Sequence, residues 1–114
     1  MSAVRHLVLV GLMGAGKTTI GERCAQRLGR TFLDTDAMIE AMTGTLVTEL
    51  FAGVGETGFR DFERDAVVNA CSAPKPAVIS CGGGAVLDPE NRRRIRGAGF
   101  VVWLDAPSAV LAAV

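Results

Sequence analysis

GLMGAGKT, at residues 11–18, is the stretch of this sequence that decides its fold. This stretch is the one place where the sequence matches the eight-residue glycine-rich pattern that binds nucleotide phosphates. Its glycines let consecutive backbone N–H groups point inward at the phosphate oxygens. The start of the following helix adds a dipole that favours negative charge. In this pattern Lys17 supplies a mobile ammonium for the β- and γ-phosphates, and the Thr18 hydroxyl is placed to ligate Mg²⁺. The motif therefore indicates a nucleotide site, and it leaves the second substrate open.

The segments on either side of this loop have the strand and the helix that such a site requires. Residues 6–10 form a short apolar run that predicts a strand buried on both faces. Apolar residues at four-residue spacing predict an amphipathic helix over 17–28, which Gly29 ends in the usual C-terminal position. A glycine-rich turn with no ligand would also join a strand to a helix. The phosphate loop is favoured because every position of the motif is occupied by the required residue and because a strand and a helix flank it.

Strand-like and helix-like segments alternate along the rest of the chain, which predicts a parallel sheet with crossover helices. Further strands are expected at residues 31–33, 77–80 and 100–104. Helices are expected at residues 37–42, 47–51 and 56–71, from Asp88-Pro89 to Gly97 or Gly99, and from 106–108 onward. No repeat, linker or low-complexity stretch divides the chain. The sequence therefore predicts a single α/β domain over residues 1–114, with Trp103 in its core.

Charge and composition narrow the class of protein. The chain holds 12 Lys plus Arg and 12 Asp plus Glu, and this zero net charge argues against a nucleic-acid binder. At 49% hydrophobic residues the chain is not disordered, and no apolar run approaches the roughly 20 residues of a membrane helix. Three cysteines without metal-ligand spacing suit free thiols in a reducing compartment. We therefore expect a cytoplasmic protein that binds neither nucleic acid nor a membrane.

Two aspartates stand two residues apart just after the second predicted strand. In an extended segment the side chains of Asp34 and Asp36 share a face. One carboxylate would then help to hold Mg²⁺ while the other accepts a hydrogen bond from a substrate hydroxyl. Turn and helix-capping chemistry explains aspartates at a strand end equally well, so both interpretations stay open.

An arginine and a glutamate on one helix form the next candidate pair. Arg60 and Glu63 are three residues apart, so their side chains can meet on one helix face. A surface ion pair of this kind stabilises a helix by only about 0.2–0.5 kcal/mol, and taken alone the spacing is more typical of such a pair. The functional alternative is a guanidinium fork, held by the glutamate, that grips a substrate carboxylate through two hydrogen bonds.

Three consecutive glycines, Gly82-Gly83-Gly84, follow the strand predicted at 77–80. Such a run is entropically unfavourable and contributes no packing. It suits a place where a ligand approaches backbone N–H groups at the carboxyl end of a parallel strand. A plain flexible loop is the alternative.

Together these motifs resemble those of the shikimate kinases. The resemblance rests on GLMGAGKTT at 11–19, LDTD at 33–36, GETGFRDFE at 55–63 and SCGGG at 80–84, in that order and spacing. It implies a three-layer P-loop kinase fold with a parallel β-sheet flanked by helices. It also implies transfer of the ATP γ-phosphoryl group to the 3-hydroxyl of shikimate, in chorismate and aromatic amino-acid biosynthesis. Mg²⁺ would be the cofactor, and ATP and shikimate the small-molecule substrates.

The resemblance implies roles for the residues that match the nucleotide motif. The ATP phosphates would be bound by Gly14, Ala15, Gly16, Lys17, Thr18 and Thr19. Mg²⁺ would be held by Thr18 and, directly or through water, by Asp34. Lys17 would be catalytic through its contact with the transferred phosphoryl group.

It also implies roles for residues that would meet shikimate. Asp36 would be the second catalytic residue, hydrogen-bonded to the shikimate hydroxyls and acting as a base toward the attacking one. Arg60 would bind the shikimate carboxylate, with Glu63 orienting it. The backbone contacts to the substrate would come from Gly82, Gly83 and Gly84.

The family pattern is incomplete toward the C-terminus. Shikimate kinases continue with a lid arginine, a second carboxylate-binding arginine and a last sheet strand, none of which lies between Pro107 and Val114. A supplied arginine can be worth about 10³–10⁵ in rate. We therefore expect this chain to be the N-terminal part of a longer reading frame, with the strand at 100–104 as an apolar edge. We also expect it to be a monomer. Two alternatives stay open: a non-catalytic module that binds nucleotide or shikimate, and a related kinase for a gluconate-type sugar acid.

Overall fold

The computed structural model describes residues 5–11 and 17–104, apart from the side chain of Lys17. Over these residues the chain alternates strands and helices, as its sequence predicts. The strands are β1 (His6–Gly11), β2 (Thr31–Asp34), β3 (Ala77–Ser80) and β4 (Gly99–Leu104). The helices are α1 (Lys17–Leu28), α2 (Thr35–Thr43), α3 (Val47–Cys71) and α4 (Pro89–Ala98), with a short 3₁₀ turn at Ala85–Leu87. The helix expected from 106–108 onward lies outside the described residues.

The four strands form one parallel sheet in the order β2-β3-β1-β4. The central strands β1 and β3 are covered on both faces, which is why they are near-continuous apolar runs. The register places Asp34 beside Ser80 and Gly11 beside Leu104, so the carboxyl ends of all four strands lie at one edge. The described segments that follow β2 and β3, which carry sequence motifs, therefore meet at this edge.

Helices on both faces of the sheet give the three-layer α/β architecture that the sequence predicts. On one face Val8 and Val10 belong to a core cluster with residues of α3 and α4, such as Val67. On the other face Leu9 belongs to a second cluster with Ala25 of α1. Neighbouring residues of β1 enter opposite clusters because side chains alternate across a strand.

Helices α2 and α3 form an angled pair beside the sheet. Gly44 ends α2 in the left-handed conformation, with φ of 68°. Helix α3 is interrupted at Gly55, with φ of 76° and ψ of 178°, so the helices predicted at 47–51 and 56–71 follow each other across a kink. No single helix among the described residues is long and apolar enough to span a membrane. Helices α2 and α3 together pass that test of length and composition, but they are bent by 91° at their break.

Strand β4 lies at the edge of the sheet and confirms the predicted apolar edge. It pairs with β1 on one side, and within residues 5–11 and 17–104 no strand pairs with its other side. Phe100 is 63% exposed and Trp103 is 58% exposed. The prediction that Trp103 lies in the core is therefore wrong, because a strand flanked on one side only leaves part of its apolar surface uncovered.

Candidate functional site

The phosphate-loop motif lies between the two elements that such a site needs. Strand β1 ends at Gly11 and α1 begins at Lys17, so the intervening residues join the carboxyl end of a central strand to a helix N-terminus. Gly14, Ala15, Gly16 and the side chain of Lys17 lie outside the described part of the chain. Thr18 and Thr19 are exposed in the first turn of α1, at the edge of the sheet where the other motifs meet.

Asp34 has two structural roles at once. Its Oδ1 accepts hydrogen bonds from the N–H groups of Asp36 at 2.9 Å and Ala37 at 3.1 Å, so Asp34 is the N-cap of α2. Its Oδ2 accepts a hydrogen bond from the Thr18 hydroxyl at 3.4 Å. The capping interpretation is therefore correct, and it leaves one carboxylate oxygen directed at the residue that the motif assigns to the metal.

The oxygen donors of Thr18 and Asp34 fit a magnesium ion. Mg²⁺ prefers oxygen ligands and usually takes only one or two from the protein, keeping waters and substrate phosphates for the rest. Thr18 and Asp34 supply one hydroxyl and one carboxylate within hydrogen-bonding distance of each other. Among the described residues no group of three or more His, Cys, Asp or Glu side chains gathers as a metal cage. This sparse donor set suits a metal that arrives with a nucleotide.

Asp36 is placed differently from the sequence prediction. It lies in the first turn of α2, so it does not share the face of an extended strand with Asp34. That expectation was wrong because the helix begins directly after Asp34, and the chain turns between the two carboxylates. The Asp36 carboxylate instead lies against the glycine run: a Cβ added to Gly82 would be only 2.7 Å from Asp36 Oδ1. Glycine at this position makes the close approach possible.

Arg60 and Glu63 form a partly buried pair, not a surface one. The Arg60 Nη1 donates to Glu63 Oε1 at 2.9 Å, and the Glu63 side chain is 2% exposed. Burial raises the pKa of the Glu63 carboxyl, and the Arg60 guanidinium opposes that shift. The hydrogen bond to Glu63 in turn raises the pKa of Arg60. The interpretation as an exposed ion pair is wrong, because this face of α3 packs toward the glycine run, where Arg60 reaches the Gly84 carbonyl.

The Arg60 guanidinium is held by three acceptors. Besides Glu63, Nη1 donates to the Gly84 carbonyl at 2.9 Å, and Nη2 donates to Glu56 Oε1 at 3.2 Å. A guanidinium has five N–H donors. Within the described part of the chain the two that make no hydrogen bond belong to Nε and Nη2. These two N–H groups are therefore available to an acceptor such as a carboxylate.

The glycine run is held by hydrogen bonds at both of its ends. The Gly82 N–H donates to the Thr35 hydroxyl at 3.0 Å, and the Gly82 carbonyl accepts from Ala85 at 3.0 Å. At the other end, the Gly84 carbonyl accepts from Leu87 at 3.1 Å as well as from Arg60. The N–H groups of Gly83 and Gly84 form no hydrogen bond with any residue that the structure describes. These two groups are therefore available to a ligand.

Steric requirements explain glycine at both ends of this loop. Neither Gly82 nor Gly84 has a positive φ, so backbone conformation alone would accept other residues there. A Cβ on Gly82 would meet Asp36, and one on Gly84 would collide with Nη1 of Arg60. The glycines therefore let the side chains of Asp36 and Arg60 reach the same stretch of backbone.

Sequence reasoning missed several residues that support this arrangement. Thr35 bonds to the loop, and Glu56 bonds to Arg60 at four-residue helical spacing, a signal that the sequence contained. Arg64 donates two hydrogen bonds to Asp88 Oδ2, at 3.1 and 3.0 Å, and so joins α3 to the start of α4. The last pair is 24 residues apart in sequence, and only the packing of α3 against α4 brings it together.

Comparisons with known proteins agree with this geometry. The sequence model of the family described as shikimate kinase matches residues 13–114. A shikimate kinase of Symbiobacterium thermophilum is 51% identical over 106 residues, 93% of this chain and 60% of the relative. One of Paramagnetospirillum magneticum is 47% identical over 94% of this chain and 54% of the relative. The solved shikimate kinase from Acinetobacter baumannii in complex with shikimate is 41% identical, with a TM-score of 0.86 over 91% of this chain and 57% of its own. The chain thus spans little more than half the length of the relatives it matches.

Proposed function

This chain belongs to the shikimate kinase family, and on that premise we propose that the protein transfers the γ-phosphoryl group of ATP to the 3-hydroxyl of shikimate. The observation that carries the proposal is the glycine loop and its two neighbours. One short stretch of backbone meets a carboxylate, Asp36, at Gly82 and a guanidinium, Arg60, at Gly84. An acceptor that has hydroxyls and a carboxylate matches this pairing.

The acceptor carboxylate binds to Arg60 in this proposal. The hydrogen bond from Arg60 to the buried Glu63 fixes the plane of the guanidinium, and the bond to Gly84 fixes its position relative to the loop. The N–H groups left on Nε and Nη2 face the substrate and bind both carboxylate oxygens. A planar fork held in this way loses little conformational freedom when the substrate binds.

Asp36 then orients and activates the attacking hydroxyl. Its carboxylate accepts the hydroxyl hydrogen bond and takes the proton as the oxygen bonds to the γ-phosphorus. The bond between that phosphorus and the bridging oxygen breaks, and ADP leaves with the electron pair. In phosphoryl transfer most of the catalysis comes from such positioning and from electrostatic stabilisation.

The nucleotide binds through the motif that follows β1. We assign its phosphates to the backbone and side chains of Gly14, Ala15, Gly16, Lys17, Thr18 and Thr19. Thr18 and Asp34 would hold Mg²⁺, which when bound neutralises charge on the phosphate oxygens. The exposed position of Thr18 next to Asp34 Oδ2 supports this assignment.

A direct assay tests the activity and its acceptor. Purified full-length protein is given Mg·ATP with shikimate, with gluconate or with no acceptor, and the product is identified by mass spectrometry while ADP release is followed. We expect shikimate 3-phosphate from shikimate alone, and none from Lys17→Ala. ADP binding in a thermal-shift assay without transfer to shikimate would overturn the proposed activity, and transfer to gluconate would overturn the proposed acceptor.

We also propose that the protein is a monomer and works in the cytoplasm. The described cysteines Cys24, Cys71 and Cys81 are free thiols, which suits a reducing compartment. Size-exclusion chromatography with light scattering tests the monomer, and a dimer at micromolar concentration would contradict it.

A further inference from the structure

Thr35 stands between two aspartates with assigned roles and has none of its own in the proposed reaction. Its side chain is fully buried, with 0% exposure, although it opens a helix at the edge of the sheet. A buried hydroxyl needs a hydrogen-bond partner. The partner is the Gly82 N–H, which donates to Thr35 Oγ1 at 3.0 Å across 47 residues of sequence.

This bond continues the pairing of β2 with β3 beyond the end of the strands. The last backbone pair of the two strands is Asp34 with Ser80. At Thr35 the chain turns into α2, so its backbone leaves the strand direction. The Thr35 hydroxyl then accepts the N–H that the next segment presents, and the glycine loop stays attached to the start of α2.

The attachment sets the position of the loop relative to Asp36. Thr35 and Asp36 are consecutive residues at a rigid helix start, capped by Asp34. Gly82, which bonds to Thr35, is also the residue whose missing Cβ leaves room for Asp36 Oδ1. Holding Gly82 therefore fixes the distance between the Asp36 carboxylate and the loop.

The far end of the loop is held independently. Arg60 Nη1 donates to the Gly84 carbonyl, so the loop is fixed at Gly82 by Thr35 and at Gly84 by Arg60. Between these points lie the N–H groups of Gly83 and Gly84, which bond to no residue in the described ranges. Loss of the Thr35 hydroxyl would release the Gly82 N–H, next to Asp36, while the Gly82 carbonyl keeps its bond from Ala85 and Gly84 keeps its bond from Arg60.

We propose that Thr35 is a positioning residue whose hydroxyl holds Gly82 against Asp36, so that the attacking hydroxyl and the loop N–H groups keep a fixed geometry. The inference rests on the proposed kinase function. The proposal predicts different effects on substrate binding and on the reaction. When Thr35 is changed, Arg60 still binds the acceptor carboxylate, whereas the reacting hydroxyl is no longer aligned. Misplacement by about 1 Å can lower a rate by about 10²-fold, so kcat falls while the KM for shikimate changes little.

The test compares Thr35→Val, which keeps the shape and removes the acceptor, with Thr35→Ser, which keeps the hydroxyl. Thr43→Val is the matched control, since Thr43 lies on the same helix and its hydroxyl donates to the Ile39 carbonyl, away from the loop. We expect Thr35→Val to lower kcat at least tenfold with KM for shikimate within about threefold. Thr35→Ser and Thr43→Val should keep kcat within about threefold.

Amide hydrogen exchange gives a readout that does not depend on activity. The Gly82 N–H should be protected in the wild type and in Thr35→Ser, and should exchange faster in Thr35→Val while the β1 amides keep their protection. Wild-type kcat in Thr35→Val, or a Gly82 amide unprotected in the wild type, would overturn the inference. If the wild type makes no shikimate 3-phosphate, the proposed function fails, and the exchange data still decide whether Thr35 holds the loop.

Discussion

Glu63 lies beneath Arg60, with 2.9 Å between Oε1 and Nη1, and it is 2% exposed where its partner is 23% exposed. A carboxylate taken so far out of water costs free energy unless it is paired. The pairing therefore makes little sense as a contribution to stability alone. It makes sense as a support that keeps one guanidinium plane fixed, as the proposed binding of the shikimate carboxylate requires.

Glu63→Gln should weaken acceptor binding more than it slows transfer. Glutamine keeps a hydrogen-bond acceptor for Arg60 but removes its negative charge, so the attraction between two opposite charges is lost and the guanidinium is held less firmly. We expect the KM for shikimate to rise about tenfold, with kcat within about threefold. Steady-state kinetics with shikimate varied at saturating ATP measures both, and an unchanged KM would contradict the supporting role of Glu63.

The same carboxyl should make stability depend on pH. Because burial raises the pKa of Glu63, the folded protein keeps this proton to a higher pH than the unfolded chain, whose glutamates titrate near about 4.3. The protonated Glu63 carboxyl therefore stabilises the folded state below the pKa of the unfolded chain, and this stabilisation is lost as pH rises through the pKa of the folded state. Relative to the wild type, Glu63→Gln should therefore gain stability between pH 4 and pH 7. Urea unfolding of both proteins at pH 4 and pH 7 tests this. If the stability of Glu63→Gln relative to the wild type fell with rising pH, the predicted direction would be wrong.

Gly84→Ala should displace Arg60. The added Cβ collides with Nη1, so the guanidinium must leave the Gly84 carbonyl and lose its fixed position. We expect the KM for shikimate to rise about tenfold or more, the equivalent of one lost charge-assisted hydrogen bond.

Gly97→Ala is the control for that substitution. A Cβ there meets nothing within 4 Å and lies on helix α4, so alanine should stabilise the fold by about 0.4–1 kcal/mol and leave KM unchanged. Equal KM values in the two variants would show that the clash at Gly84 has no effect on substrate binding.

Cys81 should be inert in the folded protein despite its place beside the glycine loop. The thiol is 1% exposed, and burial raises its pKa to about 12, so almost no thiolate exists at pH 8. N-ethylmaleimide at that pH should leave Cys81 unlabelled over minutes and label it fully in urea. Peptide mass spectrometry identifies the site, and labelling at the rate of a free thiol without denaturant would contradict the buried placement.

Local sequence patterns predicted much of the fold. The bounds of α1 and the strand at Ala77–Ser80 followed from apolar spacing and from glycine or proline at segment ends. The kink that joins the helices predicted at 47–51 and 56–71 was visible only in the structure. Asp88 before Pro89 marked the start of α4, and the Asp88 side chain does accept the Glu90 N–H at 2.8 Å. These signals act within a few residues, so the sequence displays them directly.

Burial and side-chain direction were less predictable. Trp103 looked like a core residue because it is apolar and lies in a strand, yet exposure depends on what covers that strand. Glu63 looked like a surface partner of Arg60 because charged helical pairs usually are. It is buried because α3 packs against elements that are distant in sequence, such as α4 and the turn at Ala85–Leu87, and no local spacing records this.

By itself, the sequence determined the alternation of strands and helices, the place of the phosphate loop between β1 and α1, and the family of the chain. Only the tertiary structure decided that Thr35 bonds to Gly82, that Gly84 receives Arg60, and that Asp34 caps a helix while facing Thr18. The physical reason is the distance along the chain over which each interaction acts. Periodicity and capping are set by neighbours along the chain, whereas these contacts join segments that meet because parallel strands end at one edge of the sheet.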